Sequence, residues 1–486
     1  MATKLALPSV VTSICMGFDR MRNDMRKKIV TILAVLSLMV IAKAQAMTEL
    51  KDHQLSLVTG QALIEMGKQF QPGGTSSEGI SYNGMTFYKA GLNAKLDLNL
   101  NIDKLQLGCT SGVMNGQHCD IDIDHLSLSG MDNSASRAGS SATLTKPYFE
   151  FAVKNDQSRT LREITGIRMS AEQAAGLLSM GTENSTTPNG LNTFSGYMNV
   201  QSDEASGQIH GLAHTSSAYF NAATYPVEGK MVVFNASGLW AEFKTTNGGF
   251  NIPAMSGLPF TADAISVNGK RITSLPINTT ISVPTIYLDN SYPSSGQVSG
   301  TGASQTVQTQ GGPIDAKVTD CSFFACLVAP EGRTFTNVFM SGSIENMKAD
   351  VTINQGLGYI HSLPVDSPFY LSFQKEPVNW PDSANADVAR QGWWMSFKNE
   401  VNLGSVNPVA PIDVATLFPQ IAAQVGSYLS NHPANTNDIG GVIGGDGLDV
   451  DIGNVQVPNP LNLTLTDLQL SGQNFHPNCF GSAKFC

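Results

Sequence analysis

The stretch Leu98-Asn-Leu-Asn-Ile-Asp-Lys-Leu-Gln-Leu-Gly108 returns near the C-terminus as Leu461-Asn-Leu-Thr-Leu-Thr-Asp-Leu-Gln-Leu-Ser471. Apolar and polar residues alternate in both copies, which is the pattern of a strand with one buried and one wet face. Each copy then breaks phase with two polar residues, Asp103-Lys104 and Thr466-Asp467, before resuming as Leu-Gln-Leu. A β-bulge, with its one extra residue, restores an apolar face at such a break. A looser copy, Ile121-Asp-Ile-Asp-His-Leu-Ser-Leu128, follows the first. The copies cluster at the two ends of the chain, so the terminal strand pairs are expected to meet in one sheet and close the fold. No tandem period of 20–50 residues is present, which excludes a propeller or β-helix.

The first 46 residues read as an export leader. Met25-Arg-Lys-Lys28 is a basic start, Ile29 to Ala42 is a 14-residue apolar run, and Ala44-Gln-Ala46 is a small-x-small cleavage site ending at Ala46. The run falls short of the roughly 20 residues of a membrane-spanning helix. Met25 reads as the start, with residues 1–24 as an upstream extension. Without residues 1–46 the chain carries 22 basic and 37 acidic residues, a net charge of −15. So acidic a chain lacks the basic footprint that nucleic acid or anionic lipid requires.

Six cysteines remain beyond the leader, in three sequence-local pairs: Cys109/Cys119, Cys321/Cys326 and Cys479/Cys486. An even count at close spacing behind a signal peptide reads as a disulfide framework. The pairs lack histidines at zinc spacing, so no metal site is assigned to them.

Gly, Ser, Thr and Asn are abundant and charged residues make up only 14% of the chain, a composition suited to the wet face of extracellular sheets. The fold class expected is mainly β: long amphipathic antiparallel strands in a sandwich or a curved, wrapped sheet, with two or three short helices. Helix spacing is read in residues 47–70, in Ala171–Met180 behind a Ser170/Gln173 capping box, and in Pro419–Asn431. Residues 47–290 are expected to form a β-rich domain and 291–313 a linker or long loop. Residues 314–486 then form a second β-rich region whose last strands complete the first.

Chemistry-bearing motifs are sparse. Gly444-Gly-Asp-Gly-Leu-Asp-Val450 is a single copy of a calcium-roll turn, a site that needs stacked copies. Asp120, Asp122 and Asp124 begin like an EF-hand, but His125 and Met131 stand where the loop glycine and the bidentate glutamate belong. His210 and His214 enclose no glutamate. No nucleophile elbow, phosphate loop or dinucleotide fingerprint occurs. No catalytic residue, metal or cofactor is therefore assigned, and the chain is read as non-enzymatic. Aromatic residues crowd around a Pro-Asp-Ser-Ala-Asn loop, and Tyr370, Trp380, Trp393 and Trp394 are the candidate binding surface for a protein or glycan partner. A buried hairpin is the plainer alternative.

The segment Thr48-Glu-Leu-Lys-Asp-His-Gln-Leu-Ser-Leu-Val-Thr-Gly-Gln61 resembles a motif found just after the signal peptide of exported Gram-negative proteins described as pilus-system or filament-associated surface proteins. The resemblance covers this short stretch alone. It implies a secreted, cell-surface or outer-membrane role in structure or adhesion, with no catalytic residues to carry over. An envelope lipid-binding protein is the alternative, since an all-Leu/Ile strand face lines an apolar groove if the strands curl.

Overall fold

The computed structural model describes residues 63–114, 116–202, 207–289, 296–309 and 311–482. Met47–Ala62, the leader with its Ala46 cleavage site, and Cys486 lie outside them. The described residues all belong to one compact unit. The longer strands of its first half are β1 (Ile64–Gln71), β2 (Met85–Leu92), β3 (Lys95–Leu98), β4 (Leu100–Leu107), β5 (Ile121–Ser129), β6 (Ala142–Lys154), β7 (Glu163–Ser179), β8 (Leu191–Gln201), β9 (Glu228–Val233) and β10 (Trp240–Ile252). There follow β11 (Ile265–Ile272), β12 (Ser274–Ser282), β13 (Ile314–Cys321), β14 (Thr334–Glu345), β15 (Lys348–Gly356), β16 (Phe369–Gln374) and β17 (Gly392–Phe397). Helices α1 (Phe418–Asn431) and α2 (Ile439–Gly444) precede β18 (Asp449–Gln456) and β19 (Leu461–Thr466). The protein is mainly β.

A 13-stranded sheet runs β1-β2-β6-β7-β16-β17-β8-β5-β4, with β3 beside β6 and β11 beside β8. A ten-stranded sheet holds β9, β10, β13, β14 and β18, and a three-stranded sheet runs β12-β15-β19. The two smaller sheets and α1 enclose one apolar core, to which Phe220, Phe250, Ile277, Val351, Phe418 and Leu461 contribute. β16 and β17 come from the second half of the sequence yet sit in the middle of the large sheet. Residues 297–309 supply two short strands to the ten-stranded sheet, with Val307 fully buried. The expected linker is therefore built into the fold where it is described.

The phase breaks are real, but no extra residue makes them. β4 and β5 stay in register through the break, with Ile102 opposite Leu126 and Leu105 opposite Ile123. The reversal is carried by His125, whose φ is 48°, with its Nδ1 3.2 Å from Asp103 Oδ1. In the C-terminal copy Asp467 has φ 54° and accepts a hydrogen bond from the Gly356 N–H at 3.1 Å. A third break lies on β6 at Lys146, φ 49°, where the apolar positions change from Ala142 and Leu144 to Pro147, Phe149 and Phe151. Lys146 donates its N–H to Ala94 O between β2 and β3, and its ammonium lies 3.2 Å from Glu172 on β7. At each of these breaks the apolar positions of that strand change faces.

Three further expectations are corrected. The two copies of the idiom lie in separate sheets, β4 in the large one and β19 in the three-stranded one. It is the tail after β19 that reaches β4: Asn101 donates to Asn478 O and Phe480 O, and the buried Arg137 donates to His476 O. Ala171–Met180 is not a helix, since residues through Ser179 belong to the 17-residue strand β7. Its flanks on β6 and β5 demand extended chain and small residues: a Cβ on Gly176 would come within 2.6 Å of Ala142 Cβ and Ser129 O. Ile64–Phe70 is likewise strand, because it pairs residue for residue with β2. Pro419–Asn431 does lie within a helix, α1, which buries Phe418, Ala422, Val425 and Leu429.

The left-handed φ at Lys146 makes a prediction. Lys146→Ile, a β-branched residue at positive φ, should lower the unfolding free energy by about 1–2 kcal/mol. Lys146→Gly should stay within about 0.5 kcal/mol of the parent, and urea titration distinguishes the two.

Candidate interaction surface

The cysteines come together as local spacing suggested. Cys109–Cys119 and Cys321–Cys326 are disulfide-bonded, and Cys479 is also bonded. Among the described residues no helix is long and apolar enough to cross a membrane. The two bonds fit an extracytoplasmic chain.

The aromatic surface is not where sequence placed it. Trp380, Trp394 and Tyr370 are buried, and Trp393 is half-buried beside Phe373. The loop between β16 and β17 folds back over one face of the sheet, and Trp380 fills the space between it and Phe87. Asp387 on that loop is the hub. Its carboxylate accepts from Tyr370 Oη at 2.7 Å, Ser396 Oγ at 2.6 Å and Trp394 Nε1 at 2.9 Å. Beside it Arg168 donates to Glu150 at 2.6 Å and to Pro381 O at 2.8 Å, with its guanidinium 5.3–5.5 Å from the rings of Tyr148, Tyr370 and Trp380. Burial pushes the Asp387 carboxyl up despite its three donors, and pushes Glu150 up despite Arg168. Burial and the adjacent carboxylate hold the Tyr370 hydroxyl well above the usual phenol range. This cluster is sealed and has no room for a substrate. It clamps a loop.

Among the described residues the opposite face of the same strands is largely exposed, up to Leu371 on β16, which packs against a core. Reading across β1, β2, β6, β7 and β16, one row is Met66, Ala90, Phe149, Met169 and Leu371. The next is Lys68, Tyr88, Phe151, Ile167 and Phe373, and the row on the other side begins Ile64, Leu92 and Pro147. Cross-strand partners point to one side of a sheet, so these residues share a face. Met66 is 72% exposed, Phe149 51%, Met169 42% and Phe373 41%. Lys68 is the sole charge among them, and its ammonium is tied to Asp156 at 2.8 Å. Five strands span four gaps of about 4.8 Å, and over some eight residues of strand this gives roughly 500 Å², the upper end of what a monomer leaves bare.

The face ends at an open edge. Among the described residues β1 pairs only with β2, and the side chains of Leu63, Ile64, Met66 and Phe70 are exposed. An unpaired edge presents main-chain donors and acceptors to an incoming strand. Periodicity in β1 hinted at an amphipathic element, but a strand exposed on both faces carries no local signature of being an edge.

The other candidate motifs resolve into local structure. Asp120 is buried against Arg271 and Lys270 at 3.1 and 3.2 Å and accepts from the Trp393 N–H. Asp122 and Asp124 flank the Lys104 ammonium at 2.5 and 2.7 Å. Burial pushes Asp122 up, but hydrogen bonds from Lys104, Gln106 and Asn192 hold it below the usual carboxylate range. His210 lies on a strand opposite Thr261, so the four-residue spacing to His214 is not a helical one. In the Gly444–Val450 turn, Asp446 accepts from Asn337 and Thr336. Under α1, Met231, Phe250, Ala422, Val425 and Leu429 line an apolar cavity of about 90 Å³, with one of about 60 Å³ beside it.

No protein-family model, curated protein or solved structure matches this chain.

The Asp387 hub generates the prediction here. Asp387→Ala strands three buried donors and should cost about 3 kcal/mol, read by chemical denaturation. The folded chain binds the Asp387 and Glu150 protons more tightly than the unfolded chain does. Their contribution to stability therefore falls as pH rises from the ordinary carboxylate range through the raised values. The difference between parent and Asp387→Asn stability profiles should shrink as pH is lowered through that window.

Proposed function

We propose that this protein is a non-enzymatic structural or adhesion component of a Gram-negative envelope, exported to the periplasm or cell surface and associated with a pilus or filament system. The observation that carries the reading is the open wing of the large sheet, where an apolar face with a single, ion-paired charge runs out to a strand that is paired on one side alone among the described residues. An edge supplies main-chain hydrogen bonds and a face supplies apolar area, which together are the two parts of strand addition. At roughly 500 Å² the face alone is below the about 800 Å² per partner of a stable interface. The edge has to contribute, and contacts of this size gain strength by multiplicity, as in a surface assembly. The export leader, the disulfides and the motif at Thr48–Gln61 support the compartment.

Lipid binding is a second reading, favoured by the apolar cavity under α1. It is the weaker one on volume. About 90 Å³ is less than the roughly 150 Å³ of a cavity that accepts benzene. The Leu faces of β4 and β19 are already packed against protein cores.

Introducing charge on the wing tests the leading reading. Met66→Glu/Phe149→Glu should leave stability within about 1 kcal/mol, since both side chains are largely exposed. It should weaken self-association or surface retention at least about tenfold, measured by light scattering and by fractionation of cells. A parent protein confined to soluble periplasm, monomeric at high concentration and indifferent to the substitutions, would sink the proposal. Native mass spectrometry showing a co-purified acyl lipid would transfer support to the second reading.

A further inference from the structure

Cys321-Ser-Phe-Phe-Ala-Cys-Leu-Val-Ala-Pro330 is ten residues without a charge. A chain that exposes such a stretch to water gains nothing from it unless something apolar meets it. Here it is exposed: Phe323 is 78%, Phe324 63% and Leu327 72% open to solvent. The Cys321–Cys326 disulfide closes the loop, and the rings of Phe323 and Phe324 stand edge to face at 5.4 Å. Ile439 and Ile443 of α2 are also exposed. Arg333 joins the two elements by donating to Val328 O and Ile443 O. The result is a convex apolar tip, locked by one covalent bond and one guanidinium.

We propose that this tip docks the protein on a lipid bilayer, with Phe323, Phe324, Leu327 and Ile443 entering the boundary between headgroups and acyl chains. Two observations favour a bilayer over a protein pocket. The first is the backbone. Cys326 N–H bonds Ser322 O, Leu327 N–H bonds Phe324 O, and Val328 and Ala329 N–H bond Ala325 O. Ser322 is tied in turn to Trp240 O and Gly238 O. Four N–H groups of the segment are thus satisfied inside it, which lowers the cost of approaching a hydrocarbon phase, whereas a protein interface exchanges hydrogen bonds around its rim. The second is charge. Asp320 and Glu331 flank the tip in an acidic chain, which disfavours an anionic surface and leaves apolar insertion into a neutral one. Insertion is shallow and reversible, as for other segments that lie in the interface. This surface is separate from the open wing and does not rest on it.

Co-flotation of the purified, oxidised protein with phosphatidylcholine vesicles tests the proposal. The parent should float with the lipid. Each of the three exposed side chains of the disulfide loop and its flank, Phe323, Phe324 and Leu327, is expected to contribute about tenfold. Phe323→Ser/Phe324→Ser/Leu327→Ser should therefore bind at least about 100-fold more weakly while unfolding at the parent's temperature. In a Phe323→Trp variant the new indole should shift its emission to the blue on vesicles and be quenched by bromine on the acyl chains. The wing variant Met66→Glu/Phe149→Glu should still float. Failure of the parent to float, equal flotation of the triple variant, an unquenched indole in the Phe323→Trp variant, or loss of flotation in the wing variant alone would each overturn it. So would a protein partner captured by the tip in the absence of any vesicle binding.

Discussion

A strand keeps one face buried only while its side chains alternate, and β7, at 17 residues, extends some 55 Å. No single core is that long. On β5 and β6, and just past the end of β19, a residue held at positive φ marks the place where the apolar positions change faces without a shift of register. At Lys146 and His125 the reversed strand carries a charged or titratable side chain opposite one of complementary character, Glu172 and Asp103. Left-handed backbone costs a non-glycine residue free energy, and the facing partner gives each break a preferred place. On one side of the Lys146 break Ala142, Ala174 and Leu178 enter a closed core. On the other, the apolar positions of the same strands emerge on the exposed wing.

What keeps that wing from collapsing lies on its reverse. The loop between β16 and β17 is bolted down by Asp387 and by the Arg168–Glu150 pair, with Trp380 and Trp394 beneath it. The Tyr370 and Ser396 hydroxyls, the Trp394 indole and the Arg168 guanidinium all find acceptors, and charge-assisted bonds in a buried setting hold the loop firmly. The sheet is thus rigid on one face and unoccupied on the other. A rigid scaffold holding out an apolar face and an open edge suits recognition, and no polar cleft has been needed to build it.

Much of this was legible in the sequence. Alternation identified strands such as Leu100–Leu107 and Leu461–Thr466, close spacing paired Cys109 with Cys119 and Cys321 with Cys326, and the spacing in Pro419–Asn431 marked α1. The phase breaks were visible too, although a left-handed residue and a bulge leave the same trace in a string of letters. The aromatic cluster was noticed, and of its two readings the plainer one, a buried hairpin, is what the fold shows; composition alone cannot tell a tryptophan that covers from one that is covered. The exposed Phe323-Phe324 pair was hidden by its own disulfide, which reads as a staple wherever it stands.

The sequence by itself determined that the chain would be β-rich, disulfide-linked and acidic, since these follow from period, spacing and charge, which are local. Only the tertiary structure decided that Ala171–Met180 would be extended, that β4 and β19 would part company, and that Met66 and Phe149 would face open space. Those outcomes depend on what packs across from a residue. Helix propensity at Ala171–Met180 amounts to a few tenths of a kcal/mol per residue, and pairing with β6 and β5 outweighs it. The repeated Leu-Gln-Leu idiom describes a strand that changes faces; which neighbour each face meets was settled by the fold.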